Sequence, residues 1–148
     1  MNPLVKLFLA ANVGIYRATR GKIGGSMFGG QVLLLTTKGN KTGRSRTTPV
    51  MYFDDGASRV VIASAGGSPV HPAWFKNLSR HPEVRVEVKA EAYPARAEVA
   101  SGDERARIWQ RVISEQPRFA EYAKKSQGRE IPVVVLKRAG NGGQTVRV

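Results

Sequence analysis

The 148-residue sequence contains no cysteine. This excludes a disulfide framework, a thiolate nucleophile and a cysteine-bound zinc or iron–sulfur site. A reducing cytoplasm is the simplest compartment for such a chain. Without covalent links, stability must come from a hydrophobic core, and a chain of this length buries about 70% of the surface that its unfolded form exposes. One domain is therefore sufficient.

Acidic residues are scarce, and none occurs before Asp54. The chain has 24 Lys and Arg against 11 Asp and Glu, a formal net charge of +13. The part before Asp54 therefore carries a positive field that no acid compensates. Such a field suits nucleic acid, an anionic membrane or an anionic small molecule.

Long hydrophobic runs are also missing. The N-terminal apolar stretch is far shorter than the ~20 residues that a membrane span requires, and no clear signal-peptide cleavage site follows it. Apolar residues at helical spacing predict an amphipathic helix, joined by a glycine-rich linker to form an N-terminal segment over residues 1–30. Packing on the body of the protein and contact with a membrane surface both remain open, so we expect a cytoplasmic protein with peripheral contact to the inner face of the cell membrane as an option.

Hydrophobic periodicity predicts strands over residues 31–37, 46–53, 58–64, 83–89, 93–99 and 131–137, and helices over 72–80, 101–115 and 117–125. Turns and hairpins join most of the strands, which favours an α+β fold with a mostly antiparallel barrel flanked by helices. We expect residues 31–138 to form this barrel domain and residues 139–148 to be a flexible tail. Pro94 is expected on a sheet edge, and Ser101 with Glu104 predicts a helix capping box.

The connection after the first strand is rich in glycine and cations. A phosphate-binding P-loop does not fit, because Asn40 stands where a glycine must precede the lysine. Gly39 and Gly43 still permit a turn with positive φ that exposes backbone amides to an anion. The alternative is a solvated hairpin tip. The four cations of the loop, with no acid among them, favour anion capture; they are Lys38, Lys41, Arg44 and Arg46.

A second cluster spans residues 63–78, where a strand ends in small residues that a flat ligand could approach closely. Trp74 and Asn77 lie one helical turn apart, although a lone tryptophan is more often a core residue. Neither a zinc site at His71 and His81 nor a hydrolase nucleophile at Ser64 fits the spacing. Any chemistry must therefore come from a bound cofactor.

Four segments, residues 34–50, 61–67, 72–78 and 131–135, together resemble the deazaflavin-dependent nitroreductase family of actinobacteria. The resemblance implies a flavin-reductase-like, FMN-binding split β-barrel and reduced coenzyme F420 (F420H2) as cofactor. Coenzyme F420 is a flat deazaflavin joined through a phosphodiester to an oligoglutamate tail. It needs a planar slot and a basic track.

The same resemblance assigns the site. The phosphate and tail would meet the loop, the ring would lie between two strands, and one helix would close the pocket. The implied cofactor-binding residues are Asn40, Lys41, Thr42, Gly43, Arg44, Arg46, Thr47, Thr48, Pro49, Val50, Met51, Ile62, Ala63, Ser64, Ala65, Ala73, Trp74, Phe75, Lys76 and Asn77. Phe119 and Tyr122 would cover the acceptor. Ser64 would hydrogen-bond it, and the proton would come from Tyr122 or from water.

The implied activity is hydride transfer from F420H2 to a quinone, an activated enone or a nitro-aromatic. Two departures bear on it: Asn40 stands where family members often carry arginine, and Tyr122 is the only tyrosine of the late helical segment, which favours quinone or enone reduction. One alternative is a non-catalytic carrier of F420, a flavin or a fatty acid. A basic nucleic-acid-binding barrel is the other, although no aromatic run is interleaved with the cations.

Overall fold

The computed structural model describes residues 3–39 and 42–139, apart from the side chains of residues 5, 6 and 9. The helices are α1 (Pro3–Thr19), α2 (Ala73–Arg80), α3 (Gly102–Glu115) and α4 (Arg118–Lys125). The strands are β1 (Ser26–Met27), β2 (Gly30–Lys38), β3 (Ser45–Asp55), β4 (Ser58–Ile62), β5 (Glu83–Val88), β6 (Glu91–Val99) and β7 (Val133–Arg138). A short 3-10 turn covers Ala65–Gly67.

Six strands form an antiparallel barrel in the order β2-β3-β4-β7-β6-β5, and β5 pairs back with β2 to close it. The two-residue β1 extends the β2 side within the segment predicted as a linker. The predicted antiparallel barrel with flanking helices is confirmed. Between the paired strands β4 and β7 the chain passes through α2, the β5–β6 hairpin, α3 and α4.

Each strand presents alternate side chains to the barrel interior and to its outside, as the two-residue period of a strand requires. Inside, Leu33, Leu35 and Val86 are fully buried in one cluster. Outside, Phe53, Ile62 and other apolar residues of β3, β4 and β7 form a second cluster beneath α3 and α4. The barrel wall is thus buried on both faces where helices cover it.

Among the described side chains of helix α1, those of its C-terminal half, Val13 and Tyr16, cover the outer face of β2. Tyr16 is 1% exposed, and its hydroxyl donates to the Val32 carbonyl (3.0 Å) and accepts from the Lys89 amide (2.8 Å). The first turns differ, since Leu4, Leu7 and Phe8 are 74%, 68% and 67% exposed. Packing on the body therefore accounts for only part of the apolar band of α1.

Two local predictions were wrong. Strand β6 lies between β5 and β7, so Pro94 is not on an edge strand. The β7 ladder starts one residue later, at Ala95, and the missing amide of Pro94 therefore costs no ladder bond on that side. Ser101 precedes α3 without a side-chain capping bond, so the predicted capping box is not formed.

Candidate cofactor and substrate site

The barrel is split between β3 and β4. Strand β3 pairs with β2 from Ser45 to Tyr52, whereas its pairing with β4 begins only at Tyr52. The preceding stretch, residues 47–51, has no strand partner on its second edge within the described residues. Because backbone amides and carbonyls need hydrogen-bond partners, this open edge suits a flat ligand that carries amide-like donors and acceptors.

Side chains along this edge are mostly turned away from it. Val50 is buried inside the barrel, and Met51 is buried on the outer face. Thr47, Thr48 and Pro49 are half-buried. A ligand beside this stretch would therefore meet the backbone and the threonine side chains, while Val50 and Met51 contribute packing beneath.

The tip of the β2–β3 hairpin uses its own amides. Gly39 N donates to Arg44 O (2.6 Å), Gly43 N donates to Gly39 O (3.0 Å) and Arg44 N donates to Thr42 Oγ1 (3.2 Å). The predicted positive φ is confirmed at Gly43 (73°) and wrong at Gly39. Gly39 is needed for space instead, because a Cβ there would lie 2.9 Å from the Arg44 carbonyl oxygen. These three amides do not point at a ligand, contrary to the prediction.

The cations of the hairpin remain available. Lys38, Arg44 and Arg46 are exposed, and none of them forms an ion pair with another described residue. Asn40 and Lys41, also predicted to bind the cofactor, lie outside the described residues. An anion at this end of the barrel would thus be held by side-chain charge and not by a nest of backbone amides.

Helix α2 closes the barrel at the same end. Trp74 is 9% exposed and joins the interior cluster, so it occupies the position of a core residue. Asn77 Nδ2 donates to Thr37 Oγ1 (3.1 Å), which ties α2 to β2. On the outer face of the same hairpin, the hydroxyls of Thr36 and Thr47 lie 2.8 Å apart. The other predicted residues of α2 lie nearer the surface: Phe75 is half-buried, and Ala73 and Lys76 are exposed.

The backbone after β4 makes a tight left-handed turn. Ala65, Gly66 and Gly67 have φ values of 50°, 64° and 87°. A Cβ on Gly67 would lie 2.9 Å from Lys125 Cβ and 3.1 Å from the Tyr122 carbonyl oxygen, so the turn packs directly on α4. The two predicted catalytic residues, Ser64 and Tyr122, are therefore on adjoining segments.

Ser64 and Tyr122 have hydroxyls with no hydrogen-bond partner among the described residues, although Ser64 is 8% exposed. Phe119 is 5% exposed, and its ring packs edge-on against Phe53 (5.8 Å) and Tyr122 (5.5 Å). Phe119 thus packs against Tyr122 within the second cluster, beneath α3 and α4. Ile62 and Ala63 are buried on opposite faces of the wall, and Ala65 is exposed.

Sequence reasoning missed Arg129, which lies in the connection between α4 and β7. Its guanidinium donates to the carbonyls of Ser64 (2.7 Å), Ser68 (2.9 Å) and Ala63 (3.0 Å). It also lies 2.8 Å from His71 Nδ1, which must accept because arginine can only donate. Burial lowers the pKa of Arg129 from its ordinary value. Every residue offers a carbonyl, so no side-chain motif could have predicted this contact.

A cavity of about 520 Å³ lies elsewhere, between the end of α1 and the β5–β6 hairpin. Arg17 closes one side of it with a two-pronged ion pair to Glu87 (2.9 and 2.8 Å). None of its lining residues belongs to the predicted site: Arg17, Arg20, Glu87, Lys89, Ala90, Glu91 and Ala92. This cavity therefore provides no evidence for cofactor binding between α1 and the β5–β6 hairpin.

The residues present fit coenzyme F420. The open backbone edge of residues 47–51 suits a planar heterocycle, and the unpaired cations at the start of β3 suit a phosphodiester and a polycarboxylate tail. Both features occur on one hairpin. No cluster of potential metal ligands occurs in residues 3–39 and 42–139.

Comparison with known proteins agrees with this fit to coenzyme F420. The model of the F420H(2)-dependent quinone reductase family matches residues 9–138. An F420H(2)-dependent quinone reductase of Mycobacterium tuberculosis is 38% identical over 129 residues, 84% of this chain and 85% of that protein. The structure of an F420-H2 dependent reductase, FDR-A, is 34% identical with a TM-score of 0.65, covering 72% of this chain and 93% of that one. A structure described as a domain-swapped dimer is 28% identical with a TM-score of 0.66, covering 92% of this chain and all of that one.

The matched family model spans most of the barrel and its helices, and the fold agrees with that of a solved F420-H2 dependent reductase. This chain belongs to the F420H(2)-dependent quinone reductase family.

Proposed function

We propose that this chain reduces quinones with F420H2 and binds the cofactor across the β2–β3 hairpin. The observation that carries the proposal is the open edge of residues 47–51 beside unpaired cations, in a chain of this family. Bound F420H2 supplies a hydride as a two-electron donor. One hydride and one proton together convert a quinone into its quinol, so the atoms and electrons balance.

The hairpin holds the anionic part of the cofactor. Each charge-assisted hydrogen bond to a phosphate or carboxylate contributes about 1.5–3 kcal/mol. Arg44 and Arg46 make such bonds, with Asn40, Lys41 and Thr42 completing the grip. Gly43, whose amide bonds the Gly39 carbonyl, shapes the turn that presents these side chains. Since the described amides of the tip bond within the hairpin, affinity depends on these side chains and on ionic strength.

The ring lies between residues 47–51 and residues 62–65, with residues 73–77 closing the pocket end. In this arrangement the chain orients the reacting groups and excludes water, which are the main contributions a protein makes when a cofactor carries the chemistry. The Ser64 hydroxyl donates to the acceptor carbonyl. The proton comes from Tyr122 or from water. The free hydroxyls and the low exposure of Ser64 support these roles.

The test is oxidation of F420H2 by purified protein with menadione as acceptor. Lys41→Ala with Arg46→Ala should weaken cofactor binding roughly a hundredfold or more, because two charged contacts are lost, with little change in the thermal midpoint. Lys22→Ala is the matched control, because Lys22 is also an exposed cation but lies outside the β2–β3 hairpin. It follows α1, and its neighbour Gly21 packs on Lys89. Equal loss of binding in the control would contradict the proposal. Binding without turnover across several quinones would indicate the carrier function.

Activated enones and nitro-aromatics are further acceptors, because one hydride and one proton convert an enone into the saturated ketone and a nitro group into a nitroso group with release of water. The site that supports a quinone carbonyl at Ser64 also suits an enone carbonyl. A panel with menadione, cyclohexenone and a nitro-aromatic at equal concentration ranks these acceptors. Reduction of the nitro-aromatic alone would contradict a quinone-centred function.

Peripheral membrane contact through α1 would bring the site to quinones dissolved in lipid. Leu4, Leu7 and Phe8 are exposed in the first turns of α1, and the exposed cations Arg17 and Arg20 lie at its C-terminal end, where Arg17 also pairs with Glu87. No helix in the described part of the chain is long and apolar enough to cross a bilayer. Flotation with anionic liposomes should carry the protein upward, and Leu7→Ser with Phe8→Ser should leave it at the bottom. Flotation unaffected by these changes would exclude α1 as the contact.

A further inference from the structure

The guanidinium of Arg129 joins two parts of the proposed site. Its Nη2 and Nη1 bond the carbonyls of Ser64 and Ala63, and its Nε bonds the carbonyl of Ser68. These carbonyls flank the left-handed turn at Ala65–Gly67. One planar cation thus satisfies three acceptors that converge from both sides of the turn.

The turn needs such support. A non-glycine residue in the left-handed region, as at Ala65 (φ 50°), costs on the order of 1–2 kcal/mol. Strained backbone of this kind persists only where the surroundings fix it. The turn has two backbone hydrogen bonds of its own, from Gly67 N to Ser64 O (2.9 Å) and from Ser68 N to Ala65 O (3.1 Å). Two contacts from outside add to them: the guanidinium on one side and the close packing of Gly67 on Tyr122 and Lys125 on the other.

The backbone of Arg129 is itself fixed to the end of α4. Arg129 N donates to Ser126 O (3.2 Å), and Ser126 Oγ lies 2.7 Å from Ala123 O and 2.9 Å from Arg129 O. Ser126 is fully buried. The guanidinium therefore connects the helix that carries Tyr122 with the turn that carries Ser64.

We infer that Arg129 is a positioning residue, which holds the Ser64 turn against α4 so that Ser64 and Tyr122 face one acceptor. This inference rests on the proposed function. Arg129 bonds the carbonyl of Ser64 and leaves its hydroxyl free, so Arg129 acts through Ser64. The anion grip lies on the β2–β3 hairpin, which Arg129 does not contact in the described structure.

The separation of these two regions gives the test. In Arg129→Ala, kcat with menadione should fall roughly tenfold to a hundredfold, since small misplacements of reacting groups have effects of this size. The dissociation constant of F420 should change by less than about threefold, because the charged contacts that dominate it are intact. Guanidinium chloride at low millimolar concentration should restore part of kcat, whereas sodium chloride at equal ionic strength should not.

Two further variants complete the experiment. Arg129→Lys keeps the charge but places all its donors on one nitrogen, so it cannot reach the three carbonyls that Nε, Nη1 and Nη2 bond, and its kcat should also fall. This variant replaces Arg129→Ala if that variant does not fold. Arg96→Met is the control, because Arg96 is exposed and forms only a surface ion pair with Glu83 (2.9 Å). An unchanged kcat in folded Arg129 variants, or an equal loss of F420 binding and kcat, would overturn the inference. Failure of the wild-type protein to oxidise F420H2 would instead overturn the proposed function.

Discussion

The β2–β3 hairpin and the Ser64 turn differ in how they are built. The hairpin tip is exposed, and its described cations have no ion-pair partner within the described residues. The Ser64 turn is largely covered, left-handed over three residues and bonded from behind by one arginine. The first region suits retention of a flexible anion through charge. The second suits exact placement of a rigid group, because its geometry is fixed by hydrogen bonds and close packing.

This difference assigns affinity to one region and turnover to the other. Charge acts at a distance and tolerates small displacements, whereas hydrogen-bonded placement does not. Changes to the exposed cations of the hairpin tip should thus alter F420 binding with little effect on folding. Changes around the turn and α2 should alter stability or kcat with a smaller effect on binding.

The largest expected effect is at Trp74. Because Trp74 is 9% exposed within the interior cluster, Trp74→Ala should lower the free energy of unfolding by about 3–5 kcal/mol. Urea denaturation followed by circular dichroism measures it, and Trp74→Phe, which keeps an aromatic ring, should lose clearly less. If Trp74 is mainly a wall of the ring pocket, the alanine variant would instead keep its stability and lose F420 affinity.

Gly67→Ala should have the next largest effect. The added Cβ would lie 2.9 Å from Lys125 Cβ and 3.1 Å from the Tyr122 carbonyl, in a backbone with φ of 87°. Strain of this kind costs on the order of 1–3 kcal/mol, and kcat should fall as the turn moves off α4. Gly56→Ala is the matched control: its φ is also positive (63°), but a Cβ there has open space. Equal destabilisation of both variants would mean that contact with α4 contributes nothing.

The fold was largely predictable because the signals for it are local. Alternating apolar residues in β5 and β6 fixed the hairpin, and its register Val84↔Ala95 to Val88↔Glu91 follows from that pattern. The β2–β5 closure, by contrast, joins strands distant in the chain, and no local pattern encodes it. The wrong prediction for Pro94 has the same cause. Whether β6 is an edge strand depends on the position of β7, which the local sequence around Pro94 does not encode.

The site was predictable where residue type decides the chemistry. Charge on the hairpin is visible in Arg44 and Arg46, and it stays exposed in the structure. The direction of the loop amides depends on how Gly39 and Gly43 turn, which composition does not determine. The contact of Arg129 with three carbonyls is a tertiary property without a sequence pattern. The assignments to individual cofactor-binding residues remain predictions.

Salt provides a sharper comparison of the two regions. Added salt shortens the Debye length from about 10 Å at 0.1 M to about 3 Å at 1 M, so F420 affinity should fall across this range while kcat at saturating cofactor changes little. In Arg44→Ala with Arg46→Ala, the remaining affinity should depend less on salt. Titrations at four salt concentrations measure both slopes. A double variant with the wild-type slope would show that other cations hold the tail.

The smallest expected effect is the pH dependence of the Ser64 turn through His71. Burial, and then the nearby charges of Arg129 and Lys76, lower the pKa of His71 from its ordinary value of 6.5. The folded protein therefore favours the neutral ring, whose Nδ1 accepts from Arg129. As the pH falls below about 6.5, the unfolded chain binds the proton first, so stability decreases until the pH passes the lowered pKa of the folded state. Thermal midpoints from pH 8 to pH 5 measure this loss. His71→Gln, which does not titrate, should show a shallower dependence than the wild type, and an identical dependence would exclude His71 as its source.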